Sequence, residues 1–222
     1  MIILDDKIIQ HVPKTAGISL TRSLAKECPQ NIRYSTNHKP LKFKDIIADG
    51  KYKDFPVYSL VREPVSWYKS WWNYTSRFKI NCAITQILHE ETGRIDMPAF
   101  ISYSQNLTEF FKEGDRLKRF KYYLIVLGQS HLHYFFDDIT EITADDFKNR
   151  SVYDFYLSEQ LSDNTINYKF ENLNNFLEVI GLKPENLLRE NITRYKKNLD
   201  DDSISIIKSN NRIAFDYYKK AL

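Results

Sequence analysis

The 222-residue sequence is poor in glycine, with six, and in cysteine, with two. Average glycine usage is roughly 7%, so a glycine standing inside a recognisable motif answers a backbone requirement rather than loosening a linker. Cys28 and Cys82 are too few for a disulfide framework or a metal cluster, and a reducing compartment is expected. An excess of one charge is lacking as well: 32 Lys and Arg stand against 29 Asp and Glu, a net charge of +3. That balance gives little support to a duplex-binding module, which usually shows a strongly basic face, and leaves room for a local basic pocket that takes one small anion. Long hydrophobic runs are missing too. The longest, near Tyr122 to Leu127, is far too short to span a bilayer, and Met1 to Lys7 turns polar too early for a signal peptide. The expectation is a soluble, cytoplasmic protein with no nucleic-acid or membrane partner. With no repeat, low-complexity tract or Gly/Ser/Pro linker, residues 1–222 read as a single domain.

Hydrophobic residues make up 42% of the chain and aromatics 14%, enough for a substantial core. The N-terminal half alternates strand-like and helix-like segments. Lys7 to Val12 reads as a short buried strand, Pro13 to Gly17 as a loop, and Ile18 to Glu27 as a helix with apolar residues at Ile18, Leu20, Leu24 and Ala25. Asn31 to Ser35 suggests another strand. Pro56 to Val61 is an apolar strand, and Pro64 suits the first turn of an aromatic helix, where its missing amide costs nothing. This order predicts an α/β fold of three αβα layers around a central parallel sheet. Further on, Ser151 to Leu157 alternates as a strand does, Phe170 to Ile180 is an amphipathic helix stopped at Gly181, and Ser203 to Leu222 reads as one closing helix. The aromatic stretch from Ile80 to Asp138 suits helices that wall a substrate site.

The segment Gln10-His11-Val12-Pro13-Lys14-Thr15-Ala16-Gly17-Ile18-Ser19-Leu20 joins a strand to a helix. Amides at a helix N-terminus point outward with the positive end of the dipole, so such a turn can cradle a phosphate, with Lys14 adding a charge and Ser19 a hydroxyl. It is not the nucleoside-triphosphate loop, which needs a glycine before the lysine and the lysine beside the helix. The segment resembles the 5′-phosphosulfate-binding loop of sulfotransferases of the carbohydrate and bacterial branch, commonly His-Ile-Pro-Lys-Thr-Gly-Gly-Thr-Ser-Leu. Ala16 stands where glycine is common and Ile18 where a threonine hydroxyl is common. A second element, Val61-Arg62-Glu63-Pro64-Val65-Ser66-Trp67-Tyr68-Lys69-Ser70, resembles the family's 3′-phosphate site, an arginine closing a strand and a serine on the next helix. Ser66, Ser70, Asn73 and Arg77 also share one helical stripe, and Arg62 sits at the carboxyl end of a strand, where open sheets bind ligands.

The resemblance implies a P-loop type of nucleotide-binding fold and transfer of a sulfuryl group from 3′-phosphoadenosine 5′-phosphosulfate (PAPS) to a hydroxyl of a carbohydrate or small-molecule acceptor. The product nucleotide is 3′-phosphoadenosine 5′-phosphate (PAP), and no metal is needed. Lys14, Thr15, Ala16, Gly17, Ile18, Ser19 and Leu20 would hold the 5′ end, and Arg62 and Ser70 the 3′-phosphate. Asn191-Ile192-Thr193-Arg194 resembles a segment lying over the nucleotide in related enzymes, which adds Thr193 and Arg194. Between the two sharp elements, His38 occupies the place of the family's base; an imidazole suits that task near neutral pH, and an exposed loop histidine is the plain alternative. The C-terminal half continues the likeness through Gly128-Gln129-Ser130, Glu159-Gln160-Leu161 and the helix ending at Gly181. A catalytically inactive nucleotide-binding or interaction protein of the same fold is the alternative, kept open by Ile18.

Other features have simpler readings. His131 and His133 lack further metal ligands at convincing spacing. His11 is read as structural. Trp67, Trp71 and Tyr74 fall on one helical face and Val65, Tyr68 and Trp72 on another; one must be core, and the other could stack on a sugar or adenine. Lys118, Arg119 and Lys121 read as a solvated face, and Asp200-Asp201-Asp202 as the cap of the last helix. Nothing in the sequence fixes the oligomeric state.

Overall fold

A computed structural model describes residues 1–35, 50–77, 83–94, 96–127, 136, 138–188 and 198–222. The chain packs as two compact units, one formed by Met1–Glu63, Tyr156–Ile192 and Phe215–Leu222, the other by Pro64–Phe155 and Thr193–Ala214.

The first unit holds a five-stranded sheet of β1 (Ile2–Leu4), β2 (Ile8–Gln10), β3 (Ile32–Ser35), β4 (Val57–Val61) and β5 (Thr165–Lys169), in the order β3-β1-β2-β4-β5. The sheet is mixed. β2, β4 and β5 run parallel, with Gln10, Ser59 and Asn167 in one register row, but β1 is antiparallel to both β2 and β3, so the sheet is not the parallel one expected, and β5 is a strand the sequence reading lacks. The sequence reading missed β1, because three apolar residues at the start of a chain carry no periodicity. Side chains of a strand alternate between faces, and here both faces are apolar. One packs Ile2, Leu4, Ile9 and Leu60 against Leu20 and Leu24 of α1 (Gly17–Glu27) and Phe176 and Leu177 of a later helix, Leu173–Val179. The other gathers Met1, Ile3, Ile8 and Val57 with Tyr52 and Phe55. Burial on both faces explains the near-continuous apolar reading of β2 and β4. Gly181, at φ 79°, ends the Leu173–Val179 helix as anticipated.

The second unit is helical, with α2 (Pro64–Arg77), α3 (Ala83–Thr92), α4 (Met97–Tyr103), α5 (Leu107–Lys112), α6 (Arg116–Leu127) and the start of α7 (Val152–Gln160), whose residues from Tyr156 on belong to the first unit. The Leu173–Val179 helix is α8, followed by α9 (Asp201–Asn210) and α10 (Arg212–Lys220). The aromatic excess settles here. Trp67 and Tyr68 are fully buried and Trp71 and Trp72 nearly so, so both faces of α2 are core and neither is left for a sugar or a base. Trp67 stacks on Tyr153 with ring centroids 4.3 Å apart, and Phe100, Phe111, Phe120, Phe147 and Phe155 continue the packing. Such pairs contribute roughly 0.5–1.5 kcal/mol each beyond area burial.

Two expected elements are corrected. Residues 152–157 form the start of α7 and no strand: the hydroxyl of Ser151, just before the helix, accepts from the Asp154 amide at 3.1 Å, and Val152, Tyr153, Phe155, Tyr156 and Leu157 are all buried. A helix apolar on every side shows no helical period, and a short window of it imitates alternation. The closing helix is two helices, α9 and α10, parted at Asn211. Asp200 caps α9, its carboxylate accepting from the Ser203 amide at 2.7 Å, as its acidic run suggested. The basic cluster is not merely solvated. Arg119 pairs with Glu90, Glu91 and Asp115, and Arg116 beside it grips Glu91 and lies over the rings of Tyr103 and Phe110. Among the described residues no helix is long and apolar enough to cross a membrane.

Candidate active site

The turn between β2 and α1 lies in the first unit. Its backbone is unusual for the residues it contains: Lys14 (φ 68°) and Ala16 (φ 63°) both adopt the left-handed region. For a residue with a Cβ that conformation costs roughly 1–2 kcal/mol, which explains why glycine is the natural occupant where Ala16 stands. Three contacts hold the turn. The Thr15 hydroxyl donates to the Val12 carbonyl at 2.6 Å, Arg62 Nη1 donates to the Lys14 carbonyl at 3.4 Å, and the Leu20 amide donates to the Ala16 carbonyl at 2.9 Å. Ala16→Gly should therefore leave the turn in place and raise the melting temperature by about 2–4 °C, for a net gain of about 1 kcal/mol after glycine's own entropic cost. Differential scanning calorimetry reads this directly; a lower melting temperature would contradict the strained conformation.

Gly17 opens α1, and Ala16, at the N-cap, supplies no side-chain cap. The first turn of α1 carries no acidic residue. A left-handed residue followed by a helix start is a concave arrangement of amides suited to an anion. Ile18 is half-buried and Ser19 buried. Leu20 belongs to the core, and its amide closes the first helical hydrogen bond. The reason for Gly17 differs from the sequence reading. A Cβ there would fall 1.8 Å from His11 Nε2, so the missing side chain makes way for an imidazole.

Arg62 follows β4 directly, and parallel pairing of β2 with β4 brings it to the Lys14 turn although 48 positions separate them. Burial first, and the Arg62 charge second, lowers the pKa of Lys14 from 10.5 to about 8. The Arg62 guanidinium lies 4.8 Å from the ring centroid of Phe170. That contact was invisible in the sequence reading, which took Phe170 as the first residue of a helix; its position straight after β5 is the signal that could have found it.

Ser70 lies on α2 in the second unit and is half-buried, as is Ser66. Asn73 is buried, with its amide nitrogen donating to the Lys69 carbonyl at 2.8 Å. His38, Thr193 and Arg194 lie outside the described residues, as do His131, His133 and the Gly128-Gln129-Ser130 turn. Among the described residues no group of three His, Cys, Asp or Glu is placed to hold a metal. No protein-family model, curated protein or solved structure matches this chain.

Proposed function

We propose that the chain is a PAPS-dependent sulfotransferase, an α/β enzyme of the three-layer P-loop type, acting on a hydroxyl of a carbohydrate or other small molecule. The observation that carries this reading is the meeting of Lys14 and Arg62. Two cations from segments far apart in sequence are drawn together beside a helix N-terminus, where burial and the Arg62 charge lower the pKa of Lys14, and such a pair is chemically suited to a dianion. The donor fits that set: its 5′-phosphosulfate would lie against the Lys14 turn and its 3′-phosphate would take the Arg62 fork.

In the reaction the sulfur–oxygen bond to the 5′-phosphate breaks and a new one forms to the acceptor oxygen. Charge grows on the departing phosphate oxygen, where Lys14 and the amides from Thr15 to Ser19 stabilise it. The acceptor's proton passes to a base, for which His38 is the proposed residue. PAP leaves as the nucleotide product. Holding the 3′-phosphate remote from sulfur converts binding energy into alignment of donor and acceptor.

Transfer of labelled sulfate from PAPS to a panel of glycans and small alcohols tests the reading. Label on any acceptor supports it. Tight PAP binding with no transfer to any member would favour the second reading, a nucleotide-binding protein without catalysis, for which Ile18 speaks because it offers no hydroxyl to the phosphate.

Lys14 also predicts a pH dependence. With its pKa at about 8 in the free protein, an arriving anion favours the charged form and raises that pKa. Binding of PAP should take up a proton between pH 8 and about 10, and affinity should fall as pH rises through that window. In the absence of ligand the sign for folding is opposite. The unfolded chain, with Lys14 near 10.5, holds more protons over that range, so Lys14's contribution to stability rises with pH from about 8 to 10.5. Calorimetric titration in two buffers of different ionisation enthalpy measures the proton count; zero uptake at pH 8.5 would remove Lys14 from the anion's neighbourhood.

A further inference from the structure

We infer that His11 is the positioning residue of the anion turn, its imidazole acting as a wedge that sets Gly17 and the first turn of α1. The inference rests on the proposed role of that turn and adds a residue outside its binding set. His11 follows Gln10, the last residue of β2, whose backbone is fixed by the parallel pairing Gln10 to Ser59 and by the Ser59 hydroxyl donating to the Gln10 carbonyl at 3.1 Å. The ring therefore hangs from a rigid strand. It fills the space a side chain at 17 would need: an added Cβ would lie 1.8 Å from Nε2, 2.0 Å from Cδ2 and 2.2 Å from Cε1. Cα–Cβ bonds of a helix tilt toward its N-terminus, so the imidazole lies on the side of Gly17 from which the first amides emerge.

The turn needs such a wedge. Two of its residues are held in the left-handed region, and strain of that kind persists only where surrounding contacts over-determine it. Thr15 on Val12 and Arg62 on Lys14 hold the part before Ala16; the His11 ring bears on the part after it. A small cavity bordered by His11, Thr15, Gly17 and Thr21 adjoins the ring. A methyl at position 17 can push the imidazole aside without disrupting the sheet core, so the substitution misplaces the wedge rather than unfolding the protein.

The test is a double-mutant cycle with Gly17→Ala and His11→Ala, with His11→Phe as a variant that keeps a ring and loses its nitrogens. PAP affinity is read by calorimetric titration and the ligand-free melting temperature in parallel. Gly17→Ala should weaken PAP binding by about tenfold or more and His11→Ala by about fivefold. The double variant should bind as His11→Ala does, because the methyl fits once the ring is gone, and His11→Phe should stay within about twofold of wild type. A double variant as weak as Gly17→Ala, or a His11→Phe variant as weak as His11→Ala, would overturn the wedge. If the wild-type protein binds no PAP, the proposed function fails on that result alone. The melting temperatures then decide the wedge: the drop caused by Gly17→Ala must vanish in the His11→Ala background, and its persistence there refutes the inference.

Discussion

Lys14→Ala is expected to reduce sulfuryl transfer from PAPS by at least about a thousandfold while leaving the melting temperature unchanged or higher. The two effects have one cause. Lys14 is an ammonium partly withdrawn from water and set beside Arg62, an arrangement that lowers its pKa to about 8 and costs the folded state free energy. Removing the charge relieves that cost. In the proposed transfer the same charge would face the phosphate oxygen as it gains electrons, and loss of one such contact lowers turnover by roughly 10²–10³ even where the donor is a neutral amide. Lys14→Gly should separate the terms further. It abolishes transfer equally and also frees the backbone at φ 68°, so its melting temperature should exceed that of the alanine variant by about 2–4 °C. Labelled-sulfate assays and calorimetry on both variants decide the matter. Activity within tenfold of wild type would remove Lys14 from the chemistry, and lost activity accompanied by a clearly lower melting temperature would make it a structural residue.

The second large effect is on stability and lies in the second unit. Asn211→Leu should destabilise the protein by about 3–5 kcal/mol, lowering the melting temperature by about 10 °C. Asn211 is fully buried between α9 and α10. Its Oδ1 accepts from the Tyr68 hydroxyl at 3.1 Å and the Ser151 hydroxyl at 2.6 Å, and its Nδ2 donates to Gln105 Oε1 at 2.6 Å and to the Ile207 carbonyl at 2.8 Å. One side chain thus links α2, α9, the residue just before α7 and the second residue after α4. A leucine takes the side-chain partner from Gln105 Oε1 and the acceptor from the Tyr68 and Ser151 hydroxyls, each loss costing roughly 1–3 kcal/mol and partly recovered by relaxation, while the Ile207 carbonyl keeps the Asn211 backbone amide at 3.2 Å. Burial already pushes the Tyr68 phenol up, so it remains a neutral donor there. Next to it, Asn210 bonds only within its own exposed turn, and Asn210→Leu should change stability by less than about 0.5 kcal/mol. Equal effects at 210 and 211 would dissolve the network.

The contrast between those two asparagines shows where sequence reading stops. They are the same residue in adjacent positions, and nothing local distinguishes the one that bears three tertiary hydrogen bonds. Ser151 to Leu157 failed for a related reason. Its Ser-x-x-Asp start is a helix-cap signal, yet five buried apolar residues in seven erased the period that would have confirmed it. The aromatic residues of α2 could be assigned to a helix but not to a side, because in this unit both sides are interior. By contrast β2, the following turn, α1, β4 and the start of α2 were legible to within a residue or two, since each carries a local signature: a short apolar run, a proline, or an uncapped strand-to-helix turn.

The sequence by itself determined the order of strand, turn and helix around Lys14 and Arg62, because hydrophobic period and proline placement act over a few residues. Glycine scarcity drew attention to Gly17, yet only the tertiary structure decided why it is there: His11, six positions earlier, fills the space its side chain would take. Tertiary structure alone also made the sheet mixed, placed Phe170 over Arg62 and lowered the pKa of Lys14. Each of these depends on which distant segments meet, and strand pairing, ring stacking and desolvation leave no local trace in the chain.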